Sequence, residues 1–470
     1  MAWYTRKAPP AGRLIPAAAL LLLLLHLSAA SAIGVNYGTL GDNLPPPAQV
    51  ANFIKTQTII DRVKIFDTNP DILRGFANSG IAMTITAANG DIPALTQIGY
   101  ARQWVATNIA PFYPQTNIIR VLVGNEILHW GDESQVSNLV PAMRTLRDAL
   151  NQAGYGAIQV STAHSLGFIE NADIPSMCRF RPMYERVLRP LLQFHRETKS
   201  PFMVNPYPYF GYSPEKANYC LFKPNRGVYD RGTRKMYTNM FDSLLDAVHI
   251  AMRVYGYGEL GIVVGETGWA SQGDAGLAPG MDNAIAYNGN LLRHVQSTGT
   301  PLMPNRRFET YIFALFNENQ KPGPLAEKNF GLFWPNFSPV YKIGILRSEQ
   351  AAQRQGPATP APGLRPRHGG HHKRGAAPVP VAGKQWCVPK LGVSDQALQS
   401  NVNYICSQGI NCQPVQAGGP CFEPNNLRSH ASFLMNSYYQ TKGLFPYNCD
   451  FAGTGMLTST NPSYGGCKFM

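Results

Sequence analysis

The chain has 470 residues, 44% of them hydrophobic and only 15% charged, with 22 Tyr and 22 Phe. That is enough apolar side chain for a sizeable core, with aromatics left over for a binding cleft. The formal charge of +13 invites a nucleic-acid reading, but most of the excess falls in residues 1–32 and 347–385, not on a folded face, so no nucleic-acid partner is expected.

Residues 1–32 read as an export signal. Arg6, Lys7 and Arg13 form a basic start, Leu14 to Leu27 an apolar run, and Ala30-Ser31-Ala32 a small-residue cleavage site. The run is too short for a membrane span, and no other stretch is long and apolar enough for one. The chain closes on Gly466-Cys-Lys-Phe-Met470 without an apolar tail, so a glycolipid anchor signal is not expected. A secreted, extracellular or cell-wall protein is the expectation, acting as a monomer.

From Ile33 onward, strand candidates alternate with amphipathic segments. The strands are Ile33–Tyr37, Arg62–Asp67, Ile81–Ala87, Ile119–Glu126, Ile158–His164, Phe202–Tyr207, Gly261–Glu266 and Phe308–Phe316. Between them lie helical patterns, among them Ala48–Thr56, Tyr100–Ile109, Gln135–Ala153, Met240–Tyr255 and Ala284–Ser297. Eight such repeats over residues 33–346 predict an α/β fold, a (β/α)8 TIM barrel. A doubly wound open sheet competes, but Val35-Asn-Tyr-Gly-Thr-Leu-Gly41 lacks the spacing of a phosphate-binding turn.

Two strands end alike. Gly261-Ile-Val-Val-Gly-Glu266 and Ile119-Arg-Val-Leu-Val-Gly-Asn125-Glu126 are each an apolar run, then a glycine, then a carboxylate. Continuous apolar runs suit strands buried on both faces, and the carboxyl ends of such strands open into the mouth of the fold. A strand-terminal Glu also serves to cap a helix or pair an Arg. Two of them in one mouth, however, are what glycoside cleavage requires.

Residues 347–385 are rich in Pro, Ala, Gly and basic residues and read as a linker. His368, His371 and His372 there have no Cys or carboxylate cluster beside them, and read as part of a basic spacer, not a metal site. Residues 386–470 hold six of the 8 cysteines: Cys387, Cys406, Cys412, Cys421, Cys449 and Cys467. An even count in a small exported unit predicts a disulfide-stapled domain, and six cysteines allow 15 pairings. Cys178 and Cys220 fit either one bridge or two buried thiols. Asn336-Phe-Ser338 is a glycosylation sequon with Pro339 directly behind it.

Taken together, Ile33-Gly-Val-Asn-Tyr-Gly38, Asn125-Glu126, Val204-Asn-Pro-Tyr-Pro-Tyr-Phe210, Gly265-Glu266-Thr-Gly-Trp269 and Phe313-Ala-Leu-Phe-Asn-Glu-Asn-Gln-Lys321 resemble the family 17 glycoside hydrolases, the plant endo-β-1,3-glucanases. The resemblance implies that Glu266 is the nucleophile and Glu126 the acid/base of a retaining reaction, with Asn125 on the sugar 2-hydroxyl. Tyr37, Tyr207 and Trp269 are candidate sugar contacts; Phe210 and Trp269 are weighed as core residues, and Trp130 as an exposed loop residue. Glu309, Glu318, Lys321 and Glu327 form a charged set that either supports the site, binds a sugar or is a surface cluster. No metal and no cofactor is implied, and His164 reads as a satisfied structural residue.

The last unit resembles the X8 domain, a carbohydrate-binding module, through Trp386-Cys-Val388, Asn403-Tyr-Ile-Cys406, Ala431-Ser-Phe-Leu-Met-Asn-Ser-Tyr-Tyr-Gln440 and Cys449-Asp-Phe-Ala-Gly453. It implies pairing of Cys387 with Cys449, Cys406 with Cys412 and Cys421 with Cys467. Tyr404, Phe433, Tyr438 and Tyr439 are its candidate sugar platform, with at most one of the adjacent Tyr438 and Tyr439 facing the ligand. The expected partner is β-1,3-glucan of the callose or laminarin type. A wall protein that binds glucan with weak turnover, and a glucan transglycosylase, are the competing functions.

Overall fold

The computed structural model describes residues 33–354 except 275, 276 and 298, and residues 385–470 except 391, 409, 442–445, 450, 452 and 453. The export signal, and with it most of the expected linker and its three histidines, lies outside the described residues. The chain divides into two compact units.

The first unit is built on eight parallel strands: β1 (Ile33–Tyr37), β2 (Arg62–Ile65), β3 (Ala82–Ala87), β4 (Ile118–Asn125), β5 (Gln159–Ser165), β6 (Phe202–Asn205), β7 (Ile262–Thr267) and β8 (Thr310–Ile312). They close in sequence order, with β8 paired back onto β1. Six long helices cover the outside: α1 (Pro47–Gln57), α2 (Ile98–Asn108), α3 (Glu133–Gln152), α4 (Glu185–Thr198), α5 (Met240–Val254) and α6 (Met281–Ser297). Their starts are chemically marked. Pro47 opens α1, where a missing N–H costs nothing. Asp132 and Gln135 form a reciprocal capping box at α3, and Asn239 caps α5.

The barrel is solid. Leu122, Ala163, Met203, Val263 and Tyr311 cluster inside it, and a side chain at Gly34 would collide with the Tyr311 ring. Burial of apolar side chains between strands and helices supplies most of the driving force for this architecture.

Two of the strand pairings are irregular at the carboxyl end. The β4–β5 register shifts between Leu122 and Asn125, and the β7–β8 register between Val264 and Thr267. Gly124, at φ +69°, lies in the first irregularity, and Glu126 follows at φ +54°. Gly265 and Glu266 lie in the second. Such breaks re-aim side chains at sheet rims, and here both turn a carboxylate toward the barrel mouth.

Cys178 and Cys220 are two buried thiols, with no bridge between them. Burial pushes them up to about 12 and about 11, respectively.

The second unit packs α7 (Asp395–Ser407) on α8 (Leu427–Thr441), and α8 on β9 (Trp386–Pro389), which pairs antiparallel with β10 (Gly455–Thr458). Disulfides join Cys387–Cys449, Cys406–Cys412 and Cys421–Cys467. Trp386, Leu434, Met435, Tyr438 and Tyr439 form its core. Tyr438 and Tyr439 are 3% and 2% exposed, and Tyr404 shares a 3.2 Å hydroxyl–hydroxyl contact with Tyr438. Tyr438 and Tyr439 are therefore corrected as platform candidates, since a small domain has too few large apolar residues to spare them from its core, whereas Tyr404 and Phe433 are half-buried at its edge.

Candidate active site

A cleft of about 1050 Å³ occupies the carboxyl-end mouth of the barrel, large enough for several sugar rings. Glu126 and Glu266 both line it, as do Asn125, Asn205 and Tyr207. Aromatic faces surround them: Phe66, Phe313 and Phe330, and, toward solvent, Trp130 and Phe210, which are 72% and 57% exposed. Phe210, weighed as a core residue from sequence, stands on the rim instead.

The two carboxylates sit in different surroundings. Glu266 accepts from the ammonium of Lys64 at 2.7 Å on Oε1 and from the Tyr207 hydroxyl at 3.1 Å on Oε2. Glu126 accepts from neutral donors, the Asn205 amide at 2.8 Å on Oε1 and the Trp130 indole at 3.1 Å on Oε2. Burial, and then the charge of Glu266, push the Glu126 carboxyl above its ordinary range, against the pull of these donors and of Lys64. Tyr207 is raised well above the ordinary phenol range by burial and by Glu266, so it stays a donor.

Supporting contacts fix the frame. Lys64 is fully buried, spans to Asn125 Oδ1 at 3.3 Å and lies 4.0 Å from the centre of the Phe66 ring. Asn89 holds Asn125 by its backbone at both N–H and C=O. Asn36 donates to the Gly265 carbonyl at 3.0 Å. A side chain at Gly265 would come within 2.7 Å of Asn205 Oδ1, so only glycine leaves room for the amide that holds Glu126.

Of the charged set, Glu318, Lys321 and Glu327 line the cleft, with Lys321 paired to Glu327 at 3.2 Å and set 4.0 Å over Phe313. Burial raises the Glu318 carboxyl, which accepts from the Leu40 amide. Glu309 is a correction. It immediately precedes β8, at the opposite end of the barrel, where it pairs with Arg120 at 2.8 Å and Arg62 at 3.1 Å. Burial works to raise its carboxyl, yet Arg120 and Arg62 together hold it below the usual range.

Tyr37 and Trp269 are also corrected. Tyr37, 2% exposed, packs outward on Phe76 and Phe316. Trp269 is fully buried among Tyr209, Tyr212 and Tyr287 and donates to the Ala278 carbonyl. Strand alternation turns Tyr37 outward, and Trp269, beyond the end of β7, is held inward by its aromatic neighbours. His164 is structural but not satisfied. It stacks on Phe202 with neither ring nitrogen hydrogen-bonded, and burial lowers it to about 3. Lys64 and Asn205 were missed. A lysine inside the apolar alternation Arg62-Val-Lys-Ile65 was the available signal for the first.

Among the described residues, no group of three or more His, Cys, Asp or Glu gathers to hold a metal, and no helix is long and apolar enough to cross a membrane.

An eight-stranded barrel whose mouth brings together carboxylates from the ends of two strands, amid aromatic faces, belongs to the class of barrel enzymes that cleave glycosidic bonds. The model of the glycosyl hydrolases family 17 matches residues 33–345, and the chain belongs to that family. The model of the X8 domain matches residues 385–456. A glucan endo-1,3-beta-glucosidase of Triticum aestivum is 47% identical over 96% of this chain and 99% of its own length. A glucan endo-1,3-beta-D-glucosidase of Olea europaea is 45% identical over 93% of each. Among solved structures, a beta-1,3-glucanase and allergen of Cryptomeria japonica pollen, 43% identical, covers 67% of this chain and 99% of its own at a TM-score of 0.64.

Proposed function

We propose that this chain is a secreted endo-hydrolase of β-1,3-glucan of the callose or laminarin type that retains anomeric configuration. Glu126 is the acid/base and Glu266 the nucleophile. One observation carries the assignment: Lys64, a buried cation, is bonded directly to Glu266, whereas the hydrogen bonds to Glu126 come from neutral donors, and burial and the like charge of Glu266 outweigh the more distant pull of Lys64. A carboxylate paired with an ammonium stays ionised, and its neighbour then holds the proton.

The reaction follows from those states. Glu126 gives its proton to the glycosidic oxygen as the Glu266 carboxylate attacks the anomeric carbon, and the bond to the leaving sugar breaks. Glu126, now ionised, takes a proton from water, which attacks the same carbon and releases Glu266. Asn125, held by Asn89 and Lys64, is available to the sugar 2-hydroxyl. Tyr207, Glu318, Lys321 and Glu327 are the polar sugar contacts, and Phe66, Phe313 and Phe330 supply apolar faces.

The C-terminal unit binds the same polymer and holds the barrel on insoluble glucan, raising its local concentration without new chemistry. Residues 1–32 direct export and 347–385 link the two units. The deciding test compares the intact chain with Glu266→Gln on laminarin, lichenan and carboxymethylcellulose. Sugar release from laminarin by the former alone is expected. Equal release by both would reject the enzyme reading, and cleavage of carboxymethylcellulose alone would reject the substrate.

A further inference from the structure

Trp130 stands out within the cleft. It ends a single helical turn, Ile127–Trp130, directly after Glu126, and is 72% exposed. So large an apolar face is seldom left to solvent at the edge of a binding cleft without use. Its one polar atom points inward, donating to Oε2 of Glu126 at 3.1 Å, while the His129 ring meets the indole edge-on at 4.3 Å between centroids.

The other carboxyl oxygen, Oε1, is taken by the Asn205 amide at 2.8 Å. Oε2 is thus the oxygen left to carry the proton that goes to a leaving group. The indole N–H, a donor only, covers the approach to that oxygen and favours the ionised form. Proton delivery along that direction requires the indole to leave. A glucosyl ring arriving on the leaving-group side offers the indole an apolar face and hydroxyl acceptors in exchange.

Resting on the glucanase reading above, we propose that Trp130 is a substrate-positioning residue on the leaving-group side of the scissile bond: its indole caps Oε2 of Glu126 in the free protein and is drawn off by the incoming glucosyl ring, which stacks on it. Acid readiness is thereby tied to occupancy of that side of the cleft. The groups that bear on Glu126 are Glu266 on β7, Lys64 on β2, Tyr207 after β6 and His129 on its own turn. Of the contacts to Glu126, the indole's is the one made by a side chain exposed enough to move freely.

The test is the pH dependence of kcat and kcat/KM on laminari-oligosaccharides for the intact chain, Trp130→Phe and Trp130→Ala. Exposure of residue 130 keeps both variants folded. In Trp130→Phe the basic limb of kcat/KM, which reports the free enzyme, should move up by about half a pH unit or more, while that of kcat stays in place, because the complex has already lost the bond. Trp130→Ala should show the same shift and, without a stacking face, a KM raised several-fold. An unmoved kcat/KM limb in Trp130→Phe, or an unchanged KM in Trp130→Ala, would overturn the proposal. Inactivity of the unaltered chain on these oligosaccharides would overturn the glucanase reading, and the proposal with it.

Discussion

Lys64 and Glu266 form a buried ion pair, Nζ to Oε1 at 2.7 Å, that ties the second strand of the barrel to the seventh. With Lys64 wholly enclosed, the pair persists because each charge compensates the other; either one alone would be costly at this depth.

Replacing Lys64 by Met should therefore both slow and weaken the enzyme. Loss of the cation removes the contact that distinguishes Glu266 from Glu126, so the division between nucleophile and acid is no longer enforced. Turnover on laminarin should fall ~10²-fold or more, as when a preorganised site group is removed. Removing one partner of a buried pair should cost ~3–5 kcal/mol in denaturant unfolding, and Lys64→Met with Glu266→Gln together should recover part of that. Additive losses in the double variant would deny the coupling.

How much of this was legible beforehand depended on how local each signal was. Strand, glycine and carboxylate adjoin one another, so Glu126 and Glu266 stood out. The counter-ion of Glu266 lies 202 positions away, so Lys64 read as an ordinary alternating strand residue. Glu309 groups with Glu318, Lys321 and Glu327 by charge alone. It precedes Thr310–Ile312, at the amino end of that strand, and so stands at the far end of the barrel from the cleft. The outward turn of Tyr37 likewise depends on which strand face meets the helices, and the eight-fold repeat does not encode it.

Stability should decline in acid through buried histidines. Burial lowers His164 to about 3, and burial together with His164 lowers His195 to about 3, against an ordinary value near 6.5. The unfolded chain therefore binds protons that the folded one refuses, so this contribution is whole above pH 6.5 and drains away as pH falls toward 3. Asp246, raised by burial to about 6, acts the other way, and its contribution is lost as pH rises through 6. Thermal midpoints of His164→Phe should fall less between pH 6.5 and 4 than those of the unaltered chain. Parallel curves would contradict the assignment.

Residues 386–470 should fold alone and bind β-1,3-glucan. Three disulfides at ~2–4 kcal/mol each offset the small core of so short a unit. The excised domain should be retarded in gels containing laminarin when oxidised and not when reduced. Tyr439→Ala, emptying a core site, should lose ~3–5 kcal/mol of stability rather than act on binding alone.

The central claim, that Glu266 attacks carbon while Glu126 handles the proton, is tested most directly by early-time proton NMR of laminarin cleavage. Two inversions at one carbon predict that the β-anomer of the new reducing end appears first and then mutarotates. The α-anomer as first product would contradict the covalent route and require the two carboxylates to stand far enough apart for water to attack between them.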